Sequence, residues 1–293
     1  MQREIGIIVV SYHNPDMTIR YVTKELPKLA TPYTLVVVNV AATQEDSFQL
    51  AEACGLCFVD DEGTPTFPDA QRFLIWDKEN LGYAKGNNKG AKFLIENFKV
   101  DYLLFSNNDI EIIDKDCLSV MIEKMEQNKE IGAIGPRIIG LDGKDQMPHD
   151  YPISIYRQIG WMLFPFLRRR KTTENTIEKQ DVLKSHFTYW VQGSFLMMRT
   201  IDFLNVEMFD SNTFLYAEES IMAERLKKTG KRMYFDSSVK VLHYEGGTII
   251  KENGNSKSRM MAMESNCYYY REYLHYNRLF IALYRWLFMH TNR

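Results

Sequence analysis

Three runs of apolar, mostly β-branched or aromatic residues, at 4–11 (EIGIIVVS), 34–40 (TLVVVNV) and 101–106 (DYLLFS), leave this chain few architectures. None of them alternates polar with apolar positions, so each reads as a strand buried on both faces, as strands are in a parallel sheet covered by helices. Asn14, Pro15 and Asp16 close the first run and open a helix to about residue 29, and residues 45–54 read as the next helix. Short strands are expected at 56–60 and 73–76, followed by helical periodicity in the latter half of NLGYAKGNNKGAKFLIENF (80–98). This β-α-β-α alternation predicts an α/β fold: a Rossmann-like, mostly parallel sheet flanked by helices. In such a sheet ligands sit where strands end at their carboxyl edge. The third run empties into Asn107, Asn108 and Asp109, so chemistry is sought there.

Further along, the pattern predicts a helix at 114–128, a strand at 131–136, an irregular stretch at 141–189, order again at 191–199, a helix at 217–229 and strands near Met233 and Val239. From residue 258 the chain reads as helical, rich in Tyr, Arg and Met, with no strand signal. The division expected is one α/β domain over 1–250 and a helical C-terminal extension over 251–293.

Charge narrows the partners. Lys+Arg 36 against Asp+Glu 38 leaves a formal charge of -2, so the chain has no global attraction for nucleic acid and any anion must meet a local site. Cys54 and Cys57 form a CxxC, but no second CxxC or HxxxH completes a metal site, and the pair reads as two small apolar residues at a helix-to-strand junction. The start, MQREIGIIVVSYHN, lacks the basic-then-apolar order of a secretory leader, which points to the cytosol. No apolar run reaches the ~18 residues that span a bilayer, so membrane contact would be peripheral, at the inner face. The stretch 268–290 (YYYREYLHYNRLFIALYRWLFMH) interleaves Arg and His with aromatics at helical spacing. It suits an interfacial helix, and equally a helix packed on its own domain or in a homodimer. Residues 161–171 (WMLFPFLRRRK) repeat the apolar-then-basic theme.

A series of motifs falls in a fixed order along residues 4–250: IIVVSYHNP, VVVNVAATQ, NLGYAKGNN, NNDIE, GSFLMMR, then MFDSNTFLYAEESIMAERLKKTG and VLHYEGGT. This series resembles glycosyltransferase family 2, the inverting enzymes of the GT-A fold, in its rhamnosyltransferase-like branch. The resemblance implies that Ser11, Tyr12 and Asn14 lie at the nucleotide, with Asn39 where the family carries an aspartate for the base. An amide donates and accepts where a carboxylate only accepts, so the choice of base stays open. It further implies donor contacts from Asn80, Gly82, Lys85, Gly86, Asn107 and Asn108, with Gly82 and Gly86 admitting close backbone approach and Lys85 near a phosphate.

The same resemblance puts a divalent cation, Mg²⁺ or Mn²⁺, on Asp109, with His243 completing the metal or diphosphate site and Glu111 in a supporting role. Trp190, Gly193 and Ser194 fall on the acceptor side. Glu218 and Glu219 match the family's acidic pair, Glu219 standing where an aspartate base is usual, and either could be the base. Arg225 matches an arginine expected to anchor the helix by ion pairing, and Ile221 replaces an aspartate, which argues for an unusual acceptor pocket.

The implied activity is transfer of a hexosyl or deoxyhexosyl group from a UDP- or dTDP-sugar to a saccharide or lipid-linked saccharide, in bacterial surface polysaccharide synthesis. A non-catalytic nucleotide-sugar-binding protein of the same fold is the alternative. Glycoside hydrolysis is disfavoured: adjacent residues on one helix point about 100° apart, so the two glutamates cannot face each other across a sugar.

Overall fold

The computed structural model describes residues 3–60, 65, 67, 70–164, 184–244 and 247–291, with the side chains of 247–255 excepted. The basic run 168–171 and residues 245–246 of the last motif lie outside that set.

Strand β1 (Ile5–Tyr12) is the centre of the first half of the sheet. It pairs in parallel with β2 (Thr34–Val40) on one side and β5 (Tyr102–Ser106) on the other. β4 (Arg72–Asp77) and then β3 (Cys57–Val59) extend the parallel set outward from β2. Every side chain of β2 and β5 is buried, as their unbroken apolar runs require. β9 (Phe195–Arg199) then runs antiparallel to both β5 and β7 (Ile131–Gly140), and β10 (Arg232–His243) lies parallel to β7. β6 (Ile110–Ile112) and β8 (His186–Thr188) both pair antiparallel with β10, at opposite ends of it.

Helices cover the sheet, and their starts are written in the sequence. Asn14 caps α1 (Pro15–Arg20) by accepting from the Met17 amide at 3.2 Å, with proline in the first turn. Thr43 caps α2 (Gln44–Cys54) through the Asp46 amide at 3.0 Å, and Gly55, at φ +61°, ends it in the left-handed region. α3 (Gly82–Asn97) lies against β1 and β2, and α4 (Cys117–Gln127) against β7.

The region expected to be irregular, 141–189, holds a helix, α5 (Ile155–Leu163), and the strand β8. β6 and a short helix, α6 (Thr200–Asn205), also lay beyond sequence reading, and the two strands expected near Met233 and Val239 are one strand with a bulge between Asp236 and Lys240. Three-residue strands have no periodicity to read; β6 exists because β10 supplies its hydrogen bonds.

α7 (Glu218–Lys228), α8 (Gly247–Glu272) and α9 (Arg278–Thr291) complete the chain. Two apolar cores result. The main one fills the space between the sheet and its helices. The second joins Ile155 and Ile159 of α5, Ile221 of α7, Met263 and Tyr270 of α8, and Tyr284 and Leu287 of α9. α5 was invisible because its apolar face is completed by helices distant in sequence, α7, α8 and α9.

Candidate active site

The parallel strands end level with one another. Ser11 sits beside Asn39 in the β1–β2 register, and Asn39 beside Trp76 in the β2–β4 register, so their carboxyl ends form one edge. Around that edge the polar side chains are tied to each other. The Thr18 hydroxyl donates to the Asn14 carbonyl at 3.2 Å, so it accepts both from Ser11 at 2.8 Å and from the Asn108 amide at 2.8 Å. Asn39 is buried and donates to the Ser47 hydroxyl at 2.9 Å, which donates in turn to the Thr43 carbonyl at 2.9 Å. Tyr12 packs edge-on to His13, whose φ of 48° marks a tight turn off the strand.

The NLGYAKGNN segment packs closely on its own chain. Asn80 accepts from the Gly82 amide at 3.1 Å, and Gly82, at φ +67°, lies so close to the Phe214 carbonyl that a Cβ would overlap it. Gly86 faces Val10 and lets α3 close on β1. Both glycines therefore admit close approach of their own chain. Lys85 is exposed, on the rim of a cleft between α3 and residues 207–211. Asn88 is buried and clasps Phe209 through both its amide atoms, at 2.8 and 3.1 Å. The most specific motif in the sequence thus braces the loop that leads to α7.

Asp109 and His243 meet because β6 pairs with the end of β10. The Tyr244 amide donates to the Asp109 carbonyl at 2.9 Å, and Asp109 Oδ1 lies 3.2 Å from His243 Nε2. His243 Nδ1 is 2.8 Å from Gln146 Oε1. An amide oxygen cannot donate, so in this pairing Nδ1 carries the proton toward Gln146. Asp109 Oδ1 is buried, with His243 Nε2 as its neighbour. An imidazole nitrogen and a carboxylate oxygen side by side in a buried space fit a cation beside them when Nε2 carries no proton. No cluster of three or more His, Cys, Asp or Glu suited to a metal occurs among the described residues, so a cation here would take its other ligands from phosphate oxygens and water, as Mg²⁺ and Mn²⁺ do beside nucleotides. Glu111 stands apart, held by the Tyr244 hydroxyl at 2.6 Å and by Arg20 at 3.2 Å.

The two glutamates begin α7 directly after Tyr216 and Ala217, which have φ of 74° and 68°. Left-handed backbone at a non-glycine residue costs on the order of 1–3 kcal/mol. It is held by the buried Ala217 side chain in the second core and by the Ser265 hydroxyl on the Leu215 carbonyl at 2.7 Å. Glu219 Oε1 accepts from the Gly193 amide at 2.9 Å, while the Tyr83 hydroxyl donates to the Gly193 carbonyl at 2.7 Å. A Cβ on Gly193 would press on both Tyr83 and Glu219, so only glycine serves there. One residue on, the Ser194 carbonyl accepts from the Asn107 amide at 2.9 Å. The 193–194 turn therefore joins the Asp109 turn to the Glu219 carboxylate.

The glutamates differ in protonation. Burial, and then the charge of Glu219, raise Glu218 well above the carboxylate range, and its Oε1 has no partner. Burial raises Glu219 as well, but the Gly193 amide works against it. Of the two, Glu218 is raised further, so it keeps its proton to higher pH than Glu219 does.

Trp190 stacks flat on His149, with ring centroids 3.7 Å apart, and burial lowers the His149 pKa and keeps the imidazole neutral. Gln192 Oε1 and Ser194 Oγ are buried beside it in sequence with no partner. Arg225 anchors α7 as expected of an ion pair, 3.2 Å from Asp210, and also donates to the carbonyls of Val206 and Met208. Ile221 is a correction: it is buried in the second core, so its side chain packs the C-terminal helices and does not shape an acceptor pocket. Sequence reading missed Tyr83 as a positioning group and Gln146 altogether. Tyr83 sits inside a quoted motif; Gln146 carries no local signal.

This architecture has counterparts of known structure. A mannosyltransferase from Pyrobaculum calidifontis, solved with GDP-Man and Mn²⁺, matches with a TM-score of 0.58 at 12% identity over 98% of this chain and 70% of that one. Staphylococcus aureus TarS, residues 1–349, matches with a TM-score of 0.52 at 13% identity over 96% and 70%. The fold is accordingly of the GT-A class. Within that class the chain belongs to glycosyl transferase family 2, whose sequence model matches residues 7–200. Among curated relatives, the rhamnosyltransferase WbbL of Escherichia coli K12 is 26% identical over 166 residues, 56% of this chain and 61% of its own. The N-acetylglucosaminyl-diphospho-decaprenol L-rhamnosyltransferase of Mycobacterium tuberculosis is 26% identical over 203 residues, 63% of each chain. The matched stretch is thus less than two thirds of either relative's length.

Proposed function

We propose that this protein is an inverting glycosyltransferase that moves a hexosyl or deoxyhexosyl group from a UDP- or dTDP-sugar to a saccharide or lipid-linked saccharide in surface polysaccharide synthesis. One observation carries the reading: the 193–194 turn bonds to Asn107 on one side and to Glu219 on the other, so the acidic turn and the candidate base border one space. A rhamnosyl donor and a lipid-diphosphate acceptor are suggested by the names of the two relatives.

Glu219 acts as general base, taking the acceptor's proton as its oxygen attacks the anomeric carbon on the face away from the departing diphosphate. Its raised pKa suits a base that must hold that proton near neutral pH. Glu218, kept neutral, stabilises the pair without adding a second charge. The Gly193 amide and Tyr83 fix the Glu219 carboxylate in place. Asp109 and His243 would hold a divalent cation, which when bound neutralises charge growing on the leaving phosphate.

A thermal-shift screen of UDP-, dTDP- and GDP-sugars with and without Mn²⁺ identifies the donor. On that donor Glu219→Gln is expected to lower turnover by about 10²–10⁴-fold while leaving the thermal shift intact. Wild-type turnover in Glu219→Gln would remove the base assignment. A chain that binds a donor and never releases nucleoside diphosphate would instead be a non-catalytic binder.

A further inference from the structure

α9 carries apolar side chains over most of its circumference, broken by Arg278 and Arg285, yet the protein covers only part of that apolar surface. Tyr284 and Leu287 are buried against α5 and α8, with Ile281 and Phe288 packed beside them. The remainder shows Leu279 at 78%, Trp286 at 57% and Met289 at 46% exposure, with Leu283 in the same stripe. Residues 279, 283 and 286 recur at helical spacing, so they form one continuous ridge. Phe280 carries the patch across to the exposed Tyr156 of α5, their ring centroids 5.1 Å apart. An apolar ridge left open on a helix already packed on its other side is a surface that expects cover.

Charge indicates what the cover is. Over residues 256–291 there are Lys257, Arg259, Arg271, Arg278 and Arg285 against Glu264 and Glu272, a net +3 in a chain whose total is -2. Arg278 and Arg285, the latter paired with Glu264, lie along one side of the ridge, and Trp286 stands within it, an arrangement suited to a lipid headgroup region. At 14 residues α9 is about 21 Å long, too short to cross a bilayer. No described helix is long and apolar enough to do so.

We propose that the Leu279–Leu283–Trp286 ridge of α9 seats on an anionic lipid bilayer, lying in its surface plane. The same helices fix the base. Ala217 and Ile221 of the Glu218–Glu219 segment share the second core with α9, so seating α9 sets the candidate base at a fixed height above the bilayer. That consequence rests on the transfer reading for a lipid-linked acceptor; the seating itself does not.

The test is co-sedimentation of the full chain with vesicles of phosphatidylcholine alone or mixed with phosphatidylglycerol, without donor or acceptor. Wild type should pellet with the anionic vesicles, more weakly as salt rises, and poorly with pure phosphatidylcholine. The triple variant Leu279→Ser, Leu283→Ser, Trp286→Ser should bind at least about 10-fold more weakly. Its thermal melt and its metal-dependent release of nucleoside diphosphate should match wild type, because these side chains are exposed and remote from the glutamates. Arg278→Glu alone should lower anionic binding about 5-fold. The proposal is overturned if wild type stays in the supernatant, or if the triple variant binds equally. It is also overturned if wild type is a dimer in solution that the triple variant turns into a monomer, which would make the ridge a subunit interface. Vesicle binding by a chain that transfers no sugar would sink the proposed function and leave this inference standing.

Discussion

The two sides of the site are built on opposite plans. On the parallel-strand side, Ser11, Asn14, Asn39, Asn80 and Asn108 each have a protein hydrogen-bond partner. On the side formed by residues 190–219, Gln192 Oε1, Ser194 Oγ and Glu218 Oε1 are buried without partners, and Tyr216 and Ala217 are held in left-handed backbone. The first side is satisfied at these five residues before any ligand arrives, and its exceptions are few: Trp76 Nε1 and Asp109 Oδ1 are buried without partners, and His13 and Ala41 are left-handed just past their strands. The second keeps polar atoms in reserve and is kept in shape by a separate core of C-terminal helices. Unmet hydrogen bonds and stored strain belong where a substrate must be gripped and a proton moved.

Substitutions at the junction of the two sides should have the largest effect. Gln146→Ala removes the acceptor that fixes the His243 tautomer and should weaken Mn²⁺-dependent donor binding about 10–100-fold in calorimetry, with Asp109→Ala weaker still. Unchanged binding in both would place the cation elsewhere.

On the reserve side, Glu218 titrates in a predictable direction. The folded state holds its proton, whereas the unfolded chain releases it near pH ~4.3. The stability it contributes is full below that value and is lost as pH rises toward the raised folded pKa. Glu218→Gln, which cannot ionise, should therefore gain in melting temperature relative to wild type between pH 5 and pH 8. A constant difference across that range would mean that Glu218 ionises freely.

On the scaffold side, changes should be small. Asn39→Asp restores the carboxylate common in the family but loses the donor to Ser47, and the Ser47 hydroxyl must then leave Thr43 to satisfy it. A loss of about 1 kcal/mol in chemical unfolding is expected. A loss several times larger would show that the scaffold is less tolerant than its satisfied bonds imply.

The scaffold side was also the legible side. Its strands announce themselves as unbroken apolar runs and its helix starts as Asn14–Pro15 and Thr43–Asp46, all local signals. The motif order brought Asp109, His243, Gly193 and Glu219 forward as candidates, but it could not separate ligand contacts from braces. Gly82, Gly86 and Asn88 occupy the most distinctive stretch and pack on the protein's own chain, and glycine serves close approach of chain to chain as well as of chain to ligand. What could not be read was long-range. β6 depends on β10, α5 on α8 and α9, and the role of Ile221 on a core assembled from four helices.

The central claim is that Glu219 delivers the acceptor from the face opposite the diphosphate in a single displacement. The anomeric configuration of the transferred sugar, read by NMR from the one-bond carbon–hydrogen coupling of the product, tests it most directly. The account predicts a product whose configuration is opposite to that of the donor; a product that keeps the donor's configuration would contradict it.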